Sequence, residues 1–416
     1  MGNKTTGDID RNSFDFLQCI GKGGFGKVWR VRYKKNCMEF AMKEMSKAKI
    51  IEKNCVASVL GERDILSQIH HPFIINMIFS FQDEHNLYLV MNLFTGGDLR
   101  YQMNINQSFS ESDSKFYIGC LVLGLEVIHA NNIIHRDIKP ENLVMDFKGY
   151  LKVTDFGIAK KQVKQNSSDT SGTPGYMAPE VMSFQNHTVV VDYYAMGIIC
   201  YEFMMGCRPY IGESRNEIKE KVLSRQIAIK NHEIPYGWSK EAADFINNLI
   251  QRKPTARLGA KGINQIKQHK WFNNFSWNDL YNMKIESPFI PSVDDNFDSN
   301  FCTKEEALND RAMERLNQIM QTNEYKTCFK NYLFFNLYDE DENKIKNCFI
   351  NPHIKYEEEK KYNSNKENPI QNSSYKSPDK IRVRKIPQLS QEAQEINKFN
   401  LFSPKNNKTN IKINDF

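Results

Sequence analysis

From Phe14 to about Lys43, apolar and polar side chains alternate in three runs, FDFLQCI, VWRVRY and the start of MEFAMKEM, separated by a glycine cluster and the turn KKNC. Period-two patterning punctuated by turn residues predicts a sheet built from hairpins. From about 53 to 69, NCVASVLGERDILSQI takes up helical spacing and stops before His71-Pro72, because a proline disfavours the helical region for the residue before it. LYLVMN reads as a further strand. Ser110, three residues before Asp113, forms a capping-box pattern, and Tyr117, Leu121, Leu125 and Ile128 lie on one helical stripe that ends at Asn131-Asn132. Two more helices are predicted at 192–205, closed by Gly206, and at 239–251, before Pro254; the chain is read as mostly helical to about 272. Strands come early and helices late, which predicts an α+β chain with a small β-rich lobe and a larger helical one. After about 340 the chain turns to Asn, Lys, Glu, Ser and Pro (KYNSNKENPIQNSSYKSPDK); too little apolar surface is left to offset ordering entropy, so disorder is expected over 339–416.

Composition narrows the function classes. Of 416 residues, 56 are Lys or Arg and 50 Asp or Glu, a near balance that calls for no polyanion, so no nucleic-acid partner is expected. The nine cysteines are scattered without a C-x-x-C pair, and free thiols in a reducing, cytoplasmic setting are expected. No apolar run approaches a membrane span, and MGNKTTGDID lacks a signal-peptide core.

Chemistry concentrates in IIHRDIKPENLV, 133 to 144. The runs 143–145 and 151–153 flank the turn Asp146-Phe147-Lys148-Gly149 and read as a hairpin. Asn142 stands before its first strand and Asp155 after its second, so antiparallel pairing brings both to one end, with Asp137 five residues upstream. Three oxygen donors at one place suit Mg²⁺, which takes one or two protein ligands and completes its octahedron with phosphate and water. A lone Asp near a strand end is usually a turn former; the spacing of the set overrides that reading. A distant glycine loop points to the same ligand. Ile20, Gly21, Lys22, Gly23, Gly24, Phe25, Gly26, Lys27 and Val28 carry G-x-G-x-x-G-x-V between two strands, and glycines let backbone amides approach phosphate oxygens. A strand follows where a dinucleotide fold would open a helix, which excludes that alternative. Lys43, late in the third strand, and Glu62, on the next helix, are placed to pair and to aim an ammonium at phosphates.

The ordered set GxGxxGxV, AMK, HRDIKPEN, DFG at 155–157 and APE at 178–180 resembles the eukaryotic protein kinases over about 14–272. That resemblance implies ATP and Mg²⁺, with roles general to the family. Asp137 is the base for the substrate hydroxyl, Asn142 and Asp155 hold Mg²⁺, Lys43 grips the α and β phosphates, and Met91 to Leu93 form the adenine hinge. It also implies that Lys139 neutralises the transferred phosphoryl group and that H-R-D-x-K marks Ser/Thr substrates. Leu66, Met77, His135 and Phe156 are expected to stack between the lobes, and Asp192 and the Glu180–Arg257 pair to anchor the helical lobe. Since Lys43, Asp137 and Asp155 are all present, a dead scaffold is disfavoured; APE and Asp192 argue against a small-molecule phosphotransferase.

Within the family, SPFIPSVDDNFDSNF (287–301) resembles the C-terminal tail of the AGC group, whose Phe, here Phe301, reaches the nucleotide pocket. FKNYLFF (329–335) resembles that group's hydrophobic motif, with Phe329 and Tyr332 docking on the small lobe and Leu333 at the usual phosphosite. GGDLRYQM, FAMKEMSKAK and the opening Met-Gly are similar to the YANK subgroup, although this chain has DFG where those relatives often carry DFN. Domains are therefore expected at 1–13, 14–272, 273–338 and 339–416. The long polar run from Asp155 to Glu180 should be the activation segment. In it Asp169, between Ser168 and Thr170, occupies the usual phosphosite and is expected to pair with Arg136, while Thr173 contacts the catalytic loop. Asp98, Glu141 and Glu202 fall where basophilic relatives bind substrate arginines. Gly2 with Thr6 fits the N-myristoylation pattern, which implies weak membrane attachment of a chain that is otherwise expected to be a monomer.

Overall fold

The computed structural model describes residues 9–106, 109–291 and 310–335. Strands β1 (Phe14–Lys22), β2 (Gly26–Tyr33) and β3 (Glu39–Ser46) follow the three alternating runs. The helix expected from about 53 to 69 is present as α2 (Val56–Gln68), and a short helix that the pattern did not predict, α1 (Lys47–Glu52), capped by the Ser46 side chain, precedes it. Asn54 between them has φ 53°, a left-handed turn that asparagine tolerates and a helix cannot contain. Strands β4 (Met77–Gln82) and β5 (Asn86–Asn92) complete the small lobe. The run MIFSF of β4, apolar but for Ser80, carries no alternation, because five of its six residues are buried.

The larger lobe holds α3 (Leu99–Asn106), α4 (Glu111–Ala130), the strand pair β6 (Ile133–Ile134) with β9 (Lys160–Lys161), and the hairpin β7 (Leu143–Met145) with β8 (Leu151–Val153). Helices α5 (Pro179–Met182), α6 (Val190–Met205), α7 (Arg215–Ser224), α8 (Lys240–Leu249), α9 (Asn264–Lys267) and α10 (Trp277–Tyr281) follow. The Ser110–Asp113 capping box closes reciprocally, at 3.1 and 3.2 Å. Gly206 ends α6 at φ 72°, where any Cβ would be strained. The tail contributes α11 (Asp310–Met320), α12 (Asn323–Thr327) and β10 (Phe334–Phe335), the last joining the sheet in the order β1-β2-β3-β5-β4-β10.

Side-chain alternation along β3 decides what reaches the cleft. Phe40 and Met42 belong to the aromatic cluster on the outer face, whereas Met45 belongs to the main core; Lys43, two residues before Met45, shares the inner face. Leu66, Met77 and Phe156 are buried in that core, and His135 stacks edge-on against Phe156 with centroids 5.0 Å apart. Among the described residues no helix is long and apolar enough to cross a membrane. Cys37, Cys55, Cys120, Cys200, Cys207 and Cys328 are free, whereas Cys19, on the edge strand β1, is disulfide-bonded, contrary to the expectation of thiols throughout. The segment expected to be disordered, Gly2 and Phe301 lie outside the described residues.

One buried group makes stability pH-dependent. His71 accepts from the Phe73 N–H through Nδ1 at 3.3 Å. Burial, with help from Lys152 and His70, pushes its imidazole down to about 4, whereas an unfolded histidine titrates near 6.5. Between those values the unfolded chain binds a proton that the folded one refuses, so stability falls as pH drops from about 6.5 toward 4, by at most about 1.4 kcal/mol per unit. Urea midpoints at pH 7 and pH 5 are expected to converge in His71→Asn relative to the unaltered chain. Equal spreads in both would contradict this assignment.

Candidate active site

Lys43 Nζ donates to both oxygens of Glu62, at 2.8 and 2.9 Å, and Glu62 is only 4 % exposed. Burial alone would pull the ammonium down, but Glu62 and Asp155 more than offset this and hold it above its ordinary value. Asp155 is exposed to solvent. Burial of its surroundings pushes that carboxyl up, yet Lys43 first, then His135, the Gly157 N–H and Lys139 hold it below the usual range, an effect that solvent screening moderates. Asp155 therefore feels Lys43 from the small lobe and Lys139 from the large one, so one cleft holds all three. Its φ of 62° and that of Arg136, 69°, are left-handed, a strain on the order of 1–3 kcal/mol each that a packed site must hold in place.

The loop between β6 and β7 is held from below. Asp192 at the start of α6 is fully buried and accepts from the backbone N–H groups of His135 and Arg136, both at 2.9 Å, and from His129 at 2.8 Å. Above that anchor, Asp137 Oδ1 accepts from the Thr173 N–H at 3.1 Å and hydroxyl at 2.7 Å, and Oδ2 accepts from Lys139 at 2.7 Å and the Asn142 amide at 3.0 Å. The carboxylate is fixed in orientation and already accepts a proton donor of the hydroxyl type. Asn142 Nδ2 also reaches the Asp137 carbonyl at 2.8 Å, which leaves its amide oxygen as the face for a cation. The Thr154 N–H donates to the Asn142 carbonyl at 3.0 Å, and Leu143 pairs with Val153, so Asp155 emerges beside Asn142 at the open end of the hairpin. A carboxylate and an amide oxygen are hard donors in the number that Mg²⁺ takes from proteins, and no described cluster of three or more Asp, Glu, His or Cys competes with them.

The glycine loop closes as a hairpin, with Gly21 opposite Val28, Lys22 opposite Lys27, and Gly23 N donating to Gly26 O at 2.8 Å. Its glycines are not equivalent. A Cβ on Gly26 would lie 1.9 Å from the Glu44 carbonyl, so glycine is required there by the approach of β3; Gly24 faces open space. Ile20 is half-buried on β1, and Phe25 packs against the core below the loop. Met91 pairs with Ala41 of β3, Asn92 ends that pairing opposite Phe40, and Leu93 follows out of the strand.

Residues 14–272 match the family model described as "Protein kinase domain". The chain belongs to that family. Among curated relatives of this kinase domain, a "Probable serine/threonine-protein kinase" of Dictyostelium discoideum is 40 % identical over 302 residues, 71 % of this chain and 65 % of the relative. The cAMP-dependent protein kinase catalytic subunit of the same organism is 38 % identical over 289 residues, 69 % and 44 % of the two chains. Serine/threonine-protein kinase sgk-1 of Caenorhabditis elegans is 38 % identical over 299 residues, 71 % and 63 %. The alignment thus spans less than two thirds of the length of each.

In this kinase domain the segment after DFG is tied down at three points. Arg136 Nη1 lies 3.3 Å from Asp169 Oδ2, and Lys160 Nζ donates to Asp169 Oδ1 at 2.6 Å. Burial raises the Asp169 carboxyl, but Lys160 and Arg136 hold it below its ordinary range. Buried Asn166 makes a reciprocal pair with the His187 backbone, at 2.8 and 2.9 Å, and Asn186 accepts from the Asn166 and Ser167 N–H groups. Ser168 is exposed and Thr170 half-buried. Lys160, Asn166 and Asn186 carry no motif; the fold of the segment onto Asp169 reveals the first, and its contact with the loop before α6 the other two.

The three acids expected near the substrate are each engaged internally. Asp98 accepts from the Tyr101 N–H at 2.8 Å, while Glu141 and Glu202 both accept from Arg100. The tail docks as its aromatics imply. Phe329 and Tyr332 are buried, Gln82 donates to the Phe329 carbonyl at 2.6 Å and Ser80 to the Tyr332 carbonyl at 2.7 Å. Tyr332 lies under Arg63 of α2, the neighbour of Glu62, and Leu333 is exposed.

Proposed function

We propose that the chain is an ATP-dependent protein kinase that phosphorylates serine and threonine hydroxyls, of AGC type and with YANK-like features. The observation that carries this reading is the single cleft in which the Lys43–Glu62 pair, Asp155 and the hydrogen-bonded set Asp137, Lys139, Asn142 and Thr173 stand together. Asp137 accepts the proton of the incoming hydroxyl, and its fixed orientation makes that hydroxyl an in-line nucleophile. Lys139 places a positive charge where the transferred phosphoryl group gathers negative charge. Lys43, aimed by Glu62, holds the α and β phosphates beneath the loop from Ile20 to Val28, and Met91 to Leu93 receive the adenine. Asn142 and Asp155 hold Mg²⁺, which supplies neutralisation of the triphosphate when bound. Incubation of the whole chain with labelled ATP, Mg²⁺ and Ser, Thr and Tyr peptides is expected to label Ser and Thr alone. Label on none, or on Tyr, would overturn the reading.

Asp169 supports activity without phosphorylation. Its ion pairs with Arg136 and Lys160 take the place a phosphate would hold, with one charge against roughly −1.5 to −2. Phosphatase-treated protein made in bacteria is expected to be active, and Asp169→Ala to lower kcat about tenfold, or ~1.4 kcal/mol in the barrier. Silence until Ser168 or Thr170 is phosphorylated would refute it. Asp98, Glu141 and Glu202 favour basic protein substrates. For location, the reading is a cytoplasmic monomer that myristoylation of Gly2 attaches weakly to membranes; an intact mass from the native cell lacking an acyl group would remove the last part.

A further inference from the structure

Arg100 stands in the first turn of α3, two residues after Asp98, and its guanidinium is fully engaged. Nε donates to Glu141 Oε1 at 2.9 Å, Nη1 to Glu202 Oε1 at 2.8 Å, and Nη2 to Glu202 Oε2 at 3.1 Å and to the Tyr176 hydroxyl. Nη1 also points at the Met103 sulfur, 3.9 Å away, so each of the five N–H groups of an arginine finds an acceptor. On the other side, Tyr176 donates to Glu202 Oε2 at 2.7 Å. Both oxygens of Glu202, a side chain 9 % exposed, are therefore taken by this chain's own groups, in the two-pronged planar match that arginine makes with a carboxylate. The location is telling. Glu141 follows Asp137 by four residues, and Tyr176 follows Thr173, which touches Asp137, by three. A polypeptide presenting a hydroxyl to Asp137 must pass this cluster.

We propose that Arg100 is a specificity-determining residue, a resident guanidinium that fills the Glu202 subsite and so withdraws from protein substrates the directional, two-pronged recognition of an arginine. The proposal rests on the reading above that Glu141 and Glu202 flank the substrate path. Asp98, Glu141 and Glu202 against Arg100 leave two negative charges, so basic peptides are still drawn to the cleft, but through a diffuse field. Such a field is screened by salt and does not distinguish arginine from lysine. Glu141, whose side chain is 42 % exposed, is the acid best placed to supply it.

The test is a positional peptide library around a fixed serine, read as the ratio of kcat/KM for each Arg-containing peptide to its Ala and Lys counterparts, so that a change in overall activity cancels. The unaltered chain is expected to show Arg and Lys within about twofold of each other and no single dominant position. Arg100→Ala is expected to raise the Arg-to-Ala ratio at one position about tenfold, or ~1.4 kcal/mol of discrimination. The double variant Arg100→Ala, Glu202→Gln should lose that gain. In the unaltered background Glu202→Gln alone should leave the ratio as it was. This last comparison, together with Arg100→Lys, which keeps the charge and loses the fork, decides the matter if Arg100→Ala does not fold. An unaltered chain that already demands arginine at one position and loses the demand in Glu202→Gln would overturn the proposal. So would an unchanged ratio in Arg100→Ala. Failure of the unaltered chain to label any peptide would instead overturn the kinase reading beneath it.

Discussion

An Asp137→Asn chain is expected to bind nucleotide as the unaltered protein does and to transfer phosphate roughly a thousandfold more slowly, about 4 kcal/mol in the barrier. The structure says why this substitution isolates the proton acceptor. The amide is the same size as the carboxylate and can keep the Thr173 contact, so the loop above Asp192 should hold its shape. What it loses is basicity, and its NH₂ would face the Lys139 ammonium and the Asn142 amide, both donors. The effect should fall on kcat with KM for ATP little moved, which is the pattern of a group acting in the transition state. Single-turnover assays with nucleotide titrated by calorimetry separate the two. A loss of less than tenfold in kcat would remove Asp137 from the role of base.

The second large effect is on stability. Arg257 is fully buried and donates to Glu180 at 2.7 and 2.9 Å, to the Val190 carbonyl at 2.9 Å and to the Gln251 carbonyl through Nη2 at 3.0 Å, with its guanidinium 5.0 Å from the Tyr194 ring centre. Arg257→Ala leaves the Glu180 carboxylate buried without a partner, which typically costs about 3–5 kcal/mol. For a domain of this size that lowers Tm by on the order of 10 °C. Replacing both partners by apolar residues of similar volume should recover much of the loss, because the unmatched charge goes with its partner. Thermal melts of the single and double variants check this; a single variant within about 1 kcal/mol of the unaltered chain would mean that water or another cation reaches Glu180.

What could be read in advance follows the range of the physics involved. The capping box at Ser110, the stop at Gly206 and the hairpin ending at Asp155 are local in the chain, and their residue types name their conformations. The motif residues of the cleft were legible because their order along the chain is itself a signature. Helix α1 was missed because its six residues, Lys47–Glu52, are too few to show a helical period of their own. Strand β4 was missed because burial on both faces erases alternation. The engagement of Glu202 was invisible for a different reason. Its partner Arg100 is 102 positions away, and each residue alone looks like a charge facing water.

The tail strand β10 covers the outer edge of β4, with Phe334 opposite Ser80 and Phe335 opposite Phe79. An uncovered strand of that kind is a template for intermolecular pairing. A polypeptide cut after residue 272 would retain every group of the cleft and yet present this edge, flanked by the vacated Phe329 and Tyr332 sites, to its neighbours. Its first failing would be colloidal, with self-association setting in before any loss of chemistry.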